Sequence, residues 1–315
     1  MPVDNNWAFS YNGLIVNQVS NKYIMNIEFK NGKFHAIVNG KIVASSPNKN
    51  YLKQKIAKLG VTEAAAPVED NAALKFPINQ RFESVERLVR MVGSGSTASA
   101  IITGDGGLGK SHSVVAALKT AGLRDITEIE PGTVINSKNC FRIVKGYSTA
   151  RGLFRILWEN RNNIVVFDDC DSILRDEDAV NILKGALDSY DKRLITWNSM
   201  RPDDEMPRTF QFEGGIVFIS NRSINKIDQA LRTRSMCIDL SMTLDQKIER
   251  MDVIMRSAEF LPNVLISHKR DALNLINKYK DQAKEVSLRT LIAVSKIRAQ
   301  NDADWADLAT YSLIA

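Results

Sequence analysis

Residues 104–111 read Gly-Asp-Gly-Gly-Leu-Gly-Lys-Ser, a run of spaced glycines closed by a lysine and a hydroxyl. Glycines reach the left-handed backbone conformations that turn successive N–H groups inward, and such a nest binds anionic oxygens. Lys110 adds a charge that can reach the β- and γ-phosphates of a nucleoside triphosphate, and the Ser111 hydroxyl can ligate Mg2+. The octamer fits G-x-x-x-x-G-K-[ST]. Gly104, Asp105, Gly106, Gly107, Leu108, Gly109, Lys110, Ser111 and the adjoining His112 are therefore the expected binding residues for ATP, with Mg2+ beside it. A second candidate is Ile164-Val165-Val166-Phe167-Asp168-Asp169, an apolar run that ends in acids. Strands buried on both faces of a parallel sheet read this way, and ligands bind at their carboxyl ends. Asp168 is placed there to share Mg2+ with Ser111.

These residues need a frame. Ala100-Ile101-Ile102-Thr103 reads as a buried strand leading into the glycine loop, and Ser111 to Ala121 as a helix leading out, stopped by Gly122. That helix turns its positive end toward bound phosphate. Before the loop, a helix is expected from about residue 79 to Gly93 (Phe82, Val85, Leu88, Val89). Strands at 99–103, 140–145, 164–168, 215–220 and 236–240 alternate with helices at 110–121, 151–161 and 177–190. The alternation predicts an α/β fold with a five-stranded parallel sheet flanked by helices. From 243 onward only helical periods occur, which predicts a helical lid over 243–315 on a nucleotide-binding core over 79–242.

Three further segments follow in order. Ile216 to Asn221 is a strand ending in Asn, Ile227 to Arg234 carries two arginines, and Glu285-Val286-Ser287-Leu288-Arg289 opens a helix. With the glycine loop and the acid-ended strand, they resemble the five signature segments of an AAA+ ATPase, spread over residues 79–300. The resemblance implies that Asn221 orients the attacking water and that Arg289 senses the γ-phosphate from the lid. It implies that Arg232 or Arg234 acts as an arginine finger on a neighbour's nucleotide, and hence a homo-oligomeric ring. The family usually ends its acidic strand Asp-Glu, with Glu as base. Here the run is Asp168-Asp169-Cys170-Asp171. Asp is one C–C bond, about 1.5 Å, shorter, and a misplacement of about 1 Å can cost about 100-fold in rate. Asp169 is the expected base, with Asp171 in reserve; the two arginines are not ranked.

Arg193 to Asn198 and Thr209 to Phe212 alternate like strands around a polar, Pro-containing tip, and resemble the β-hairpin that one AAA+ branch inserts before the Asn-ended strand. An ordinary surface loop is the alternative. Lys145 to Gly152 stands where AAA+ motors carry a pore loop, with Tyr147 and Arg151 as polymer contacts; the segment is short, and a plain βα connection is the better-supported reading.

Residues 1–60 form a separate module on sequence grounds. Alternation and the turn signals Asn31-Gly32 and Asn39-Gly40 predict strands at 23–30, 33–38 and 41–45, and Ser46-Pro47 opens a helix stopped by Gly60. Residues 61–78 then serve as linker, Ala- and acid-rich over 61–74. The module holds eight lysines against two acids, and the remaining 34 basic and 34 acidic residues cancel, so the whole formal charge of +6 sits in it. Seven of the aromatics, Trp7 and Tyr51 among them, sit there too. Such a surface fits a nucleic-acid partner; its alternative is a small aromatic core with a solvated lysine face. Three scattered cysteines, no signal-peptide pattern and no membrane-length apolar run favour a reduced, cytoplasmic setting with no membrane partner. The expectation is an ATP-hydrolysing, Mg2+-dependent remodelling motor that acts on nucleic acid or a nucleic-acid-bound complex. A protein unfoldase with an adaptor-docking module, or a slowly hydrolysing loader or switch, are the alternatives.

Because the nucleotide segments all lie beyond residue 78, deletion of residues 1–60 is expected to leave basal ATP hydrolysis within about twofold of the full chain. Its binding to nucleic acid should lose salt dependence, by up to roughly six released counterions per module. A deletion that binds DNA and RNA as the full chain does, at matched salt, would remove the nucleic-acid reading of this module.

Overall fold

The computed structural model describes residues 9–11, 14–16, 25–30, 32–38, 41–47, 76–130, 132–135, 137–146, 148–188, 192–198, 206–300 and 303–315. Contacts divide the chain into two compact units, Met1–Asn71 and Ala72–Ala315.

In the first unit, β1 (Phe9–Tyr11) and β2 (Leu14–Val16) form an antiparallel hairpin that the sequence reading did not include. Next, β3 (Met25–Lys30), β4 (Lys33–Val38) and β5 (Lys41–Ser46) make the expected meander, in the order β3-β4-β5. Gly32, at φ 74°, supplies the left-handed residue that a tight hairpin turn needs. Alternation along β4 sets Phe34 on the same face as the fully buried Ala36, and Lys33 and His35 on the other. The His35 ring joins the strands, 2.6 Å from Ser45 Oγ and 3.0 Å from the Lys30 carbonyl. Residues 48–59 of the expected helix and the linker at 61–74, with Trp7, Tyr23 and Tyr51, lie outside the described residues.

The second unit runs α1 (Ile78–Gly93), β6 (Ser99–Thr103), α2 (Lys110–Thr120), β7 (Arg124–Asp125), β8 (Cys140–Lys145), α3 (Ala150–Glu159), β9 (Ile164–Asp168), α4 (Glu177–Ala186), β10 (Leu194–Thr196), β11 (Thr209–Gln211), β12 (Gly215–Ile219), α5 (Gln229–Arg234), β13 (Met236–Asp239), α6 (Leu244–Met255), α7 (Ile266–Tyr279), α8 (Leu288–Ala299) and α9 (Trp305–Ile314). The sheet order is β13-β6-β12-β9-β8-β7, and each described pair is parallel. All five expected strands are in it. The five-strand count is corrected to six by β7, two exposed polar residues at the edge that leave no apolar period to read.

Period-two alternation explains why both faces of the sheet are covered. Ile101, Val165, Phe167, Ile216 and Phe218 point to one core, with α3, α4 and the β10–β11 hairpin. Ala100, Ile102, Ile164, Val166, Val217 and Ile219 point to the other, with α1 and α2. A fully buried Val, Ile or Phe contributes about 1.5–3 kcal/mol, so these strands are held mainly by burial. The inserted β10–β11 pair is antiparallel and packs Ile195 and Phe210 inward; its tip, 199–205, lies outside the described residues.

The C-terminal helices have a third apolar cluster of their own, around Met251, Leu273, Ile276, Leu291 and Val294. Side chains from α1 fasten this lid to the core. Arg81 Nη1 donates to the Ser241 carbonyl (2.7 Å) and Nη2 to Gln246 Oε1 (3.1 Å). The Arg250 guanidinium lies 3.7 Å from the Phe82 ring centre. Among the described residues, no helix is long and apolar enough to cross a membrane.

The approach of β12 to β9 leaves no room for side chains at its entry. A Cβ on Gly214 would stand 2.0 Å from the Asn163 carbonyl oxygen, a backbone atom that cannot step aside. Gly214→Ala is expected to lower unfolding stability by about 3 kcal/mol. Gly95→Ala, where φ is 76° but nothing lies within 4 Å, should cost about 1–2 kcal/mol for the backbone alone. Denaturant melts that give equal losses would show that the crowding at Gly214 is relieved locally.

Candidate nucleotide-binding site

The strand order decides which groups meet. Strand β12 lies between β6 and β9, with Ile219 opposite both Ile102 and Asp168. The chain leaving β12 therefore emerges between the glycine loop that follows β6 and the acids that end β9. Ser220 N donates to the Ile102 carbonyl and Asp169 N to the Ile219 carbonyl, each at 3.0 Å, so the register holds right up to the site.

The loop has the conformation its glycines foretell. Gly104, Gly107 and Gly109 have φ of 133°, 70° and 93°. A Cβ at Gly104 would stand 2.7 Å from the Leu240 carbonyl carbon, so this position needs glycine for space as well as conformation. Helix α2 begins at Lys110 itself, with Gly109 as its N-cap. Leu108 is fully buried and anchors the loop.

Lys110 is buried, and its Nζ donates to the Gly104 carbonyl (2.8 Å), the Asp105 carbonyl (2.6 Å) and Asn221 Oδ1 (2.8 Å). Asn221 Nδ2 donates in turn to Asp169 Oδ1 at 2.8 Å. A single chain of hydrogen bonds thus crosses three neighbouring strand ends, Lys110–Asn221–Asp169. Beside it, Ser111 Oγ donates to Asp168 Oδ1 at 2.8 Å, while Asp168 Oδ2 faces Lys145 Nζ at 3.3 Å. The Ser111 and Asp168 oxygens stand side by side, where they could hold a divalent cation.

Asp169 has φ 56°, left-handed and uncommon outside glycine. Its carboxyl is held above the ordinary carboxylate range, first by desolvation and next by the charge of Asp168; Lys110 and Arg289 pull the other way. Burial pushes the Lys110 ammonium down, against the attraction of Asp169, Asp105 and Asp168. Asp171 is engaged elsewhere: Ser220 Oγ donates to it at 2.6 Å, and Arg222 lies 3.8 Å away. Of the two candidate bases, Asp169 is the one that touches Asn221. Cys170 between them is buried, with its thiol pushed up to about 11 by desolvation and by Asp168.

The lid closes over the loop. Leu288 N donates to the Gly107 carbonyl at 2.8 Å, and Ser287, the N-cap of α8, lies against Gly107. From α6, Lys247 pairs with Asp105 at 2.7 Å. Sequence reasoning missed this pair, because a lone lysine on a helix has no distinguishing spacing. Arg289 is exposed and close enough for its charge to act on Asp169. His112 does not join the phosphate loop's polar network: it is exposed and faces Glu259 at 3.8 Å.

Arg232 and Arg234 are not at this site. They close α5, just before β13, at the amino ends of the strands. Arg234 helps line a cavity of about 550 Å3 there, with Ala98, Asn163 and Gly215. The Nε of each arginine is buried without a hydrogen-bond partner among the described residues. Tyr147 lies outside the described residues.

The raised pKa of Asp169 makes a stability prediction. A folded-state pKa above the unfolded one favours folding below it and disfavours folding as pH rises through it. At neutral pH the ionised Asp169 therefore costs stability, and Asp169→Asn is expected to raise Tm at pH 7 and to lose that advantage below about pH 4. A lower Tm at pH 7 would show that the carboxylate's bond to Asn221 outweighs its desolvation.

Residues 100–245 match the family model described as "ATPase family associated with various cellular activities (AAA)". Over 268 residues the chain is 29% identical to the "Uncharacterized 36.7 kDa protein in nrdC-mobD intergenic region" of Enterobacteria phage T4, a match that covers 79% of this chain and 78% of that protein. The family match spans the glycine loop, the acid-ended strand and Asn221, the residues that converge on one cleft. On that ground residues 100–245 are similar to the AAA ATPase domain.

Proposed function

We propose that this protein is an oligomeric, Mg2+-dependent AAA+ motor whose subunits hydrolyse ATP with help from their neighbours. The observation that carries the reading is the Lys110–Asn221–Asp169 chain across three strand ends. Lys110, at the start of α2 among glycine amides, neutralises the β/γ-phosphates. Asn221 orients the water, and Asp169 accepts its proton as the new P–O bond forms at the γ-phosphorus and the bond to the β-phosphate oxygen breaks. Mg2+, with Ser111 and Asp168 for its partners, would add positive charge at the phosphate oxygens. Arg289 watches the γ-phosphate from the lid. Phosphoryl transfer relies on positioning and charge neutralisation, and these groups supply both.

The arginines favour action in trans. Arg234 precedes β13, in register with the start of β6, while the phosphate loop follows the end of β6. At about 3.3 Å per residue the two ends of that strand are roughly 20 Å apart. Neither arginine can serve its own nucleotide from there, but a head-to-tail neighbour brings the two ends together, and rings close such contacts.

For the substrate we retain nucleic acid or a nucleic-acid-bound complex, on the lysine surplus of residues 1–60. One observation favours the second reading, an adaptor-docking module on an unfoldase: Phe34 shares its face with buried Ala36, not with Lys33. ATPase rates with single-stranded DNA, duplex DNA, RNA and unfolded protein discriminate, since the true partner should stimulate turnover and the others should not.

Lys110→Ala should bind ATP at least about 100-fold more weakly, and Arg232→Ala or Arg234→Ala should bind it normally yet lose turnover in the assembly. Mixing the two inactive kinds of subunit should restore activity, because each provides what the other lacks at a shared interface. No rescue, with a monomer at every concentration, would refute action in trans. A base with a raised pKa also sets the pH profile. Asp169 must be ionised to take a proton, so turnover should fall with pH on a limb lying above the ordinary carboxylate value of about 4. Asp169→Asn should remove that limb with nearly all turnover, and if Asp171→Asn does so instead, the base is misassigned.

A further inference from the structure

The phosphate loop contains an acid, Asp105, at a place where an anion must bind. Its charge is felt inside the loop: the Asp105 carboxylate is among the groups that act on the Lys110 ammonium, whose Nζ is already bonded to the Asp105 carbonyl. Left alone, this carboxylate would oppose an incoming triphosphate and draw on the lysine meant for it. It is not left alone. Lys247 Nζ lies 2.7 Å from Asp105 Oδ2, and the Lys247 side chain is only 17% exposed where that of Asp105 is 48%. The lysine comes from the lid. It lies in the first turns of α6, which Thr243 and Gln246 hold by a reciprocal capping box. The same lid body seats on the loop through Leu288 N and the Gly107 carbonyl.

We propose that Lys247 is a lid-borne cover for the charge of Asp105, so that the affinity of the phosphate loop for nucleotide depends on whether the lid is closed. With the lid down, the Asp105–Lys247 pair is neutral and the loop presents the charge of Lys110. With the lid lifted, Lys247 leaves with α6, and Asp105 is a bare negative charge beside the phosphates. Lid opening then expels nucleotide by repulsion as well as by lost contacts, and bound nucleotide favours the closed lid by the same coupling. Lys247 is in this sense a positioning residue: it acts on the nucleotide through Asp105. The inference rests on the nucleotide site proposed above.

The pair makes a prediction that a merely structural ion pair does not. If Lys247 only props the fold, Lys247→Met and Asp105→Asn should each do harm, and the double variant no less. If Lys247 covers a charge, removing the charge should cure the loss of the cover. In calorimetric titration of the full chain with ADP, Lys247→Met is expected to weaken binding about fivefold at low salt, and the deficit should shrink as salt rises and screens the bare carboxylate. Lys247→Arg should bind like the parent. Asp105→Asn introduced into Lys247→Met should bind ADP about threefold more tightly than Lys247→Met alone, which also shows that the chain is folded. A double variant as weak as Lys247→Met would overturn the proposal, as would a Lys247→Met protein that binds ADP normally. Lys110→Ala titrated alongside separates the two claims: tight ADP binding by that variant would remove the site itself, whereas its loss with a normal Lys247→Met removes only the lid-borne cover.

Discussion

Asn221 is the residue on which the rest of the site depends. It accepts from Lys110 and donates to Asp169, and so links the two by hydrogen bonds. It can do so only because β12 runs between β6 and β9, in a register that sets Ile219 beside Ile102 on one side and Asp168 on the other. A shift of one residue would turn each side chain of β12 to the other face. The alternating apolar residues of β12 forbid that slip, because Phe218 must stack on Phe167, with ring centres 5.6 Å apart, while Val217 and Ile219 face the opposite core. Burial on two faces thus fixes the position of a polar group that belongs to neither core.

The electrostatics follow from that arrangement. Asp168 and Asp169 lie near the buried Lys110, Asp171 follows two residues on, and the fold sorts the three by giving each its own partner. Asp168 takes Ser111 and Lys145, Asp171 takes Ser220 and Arg222, and Asp169 is left to Asn221. Three like charges on one turn would otherwise be interchangeable. Ser111 and Lys145 single out Asp168, neighbouring residues just after β12 separate Asp169 from Asp171, and the carboxyl with the raised pKa is the one in the open cleft.

Much of this was legible in the sequence, and the reason is locality. The glycine loop encodes its own backbone, and the apolar run before Asp168 encodes a strand buried on both faces, so Lys110, Ser111 and Asp168 could be brought together from pattern alone. What was not legible depends on contacts between distant segments. Asp169 and Asp171 could not be separated, because Ser220 and Arg222 come from another strand. Lys247 carries no spacing that marks it, and only the folded lid brings it to Asp105. The edge strand β7 is two exposed polar residues, paired because β8 offers it a ladder, and propensity is silent there. The aromatic content of residues 1–60 reads either as a stacking surface or as a small core, and alternation alone sets Phe34 on the face of buried Ala36 without choosing between them for the other rings.

The left-handed backbone at Asp169 bears on how this cleft could evolve. AAA+ ATPases, which residues 100–245 resemble, usually have a glutamate at this point, whose carboxylate lies about 1.5 Å farther from the chain. Here a φ of 56° accompanies the shorter side chain, and the carboxylate still arrives within hydrogen-bonding distance of Asn221. Aspartate tolerates that conformation better than glutamate does. A change of Asp169 to glutamate would meet two penalties together, a strained backbone and a side chain too long for its partner. The reverse path is closed to single steps as well, because relaxing the turn alone would pull the aspartate away from Asn221. Backbone and side chain at this position are therefore coupled, so that neither can change alone without moving the carboxylate from Asn221.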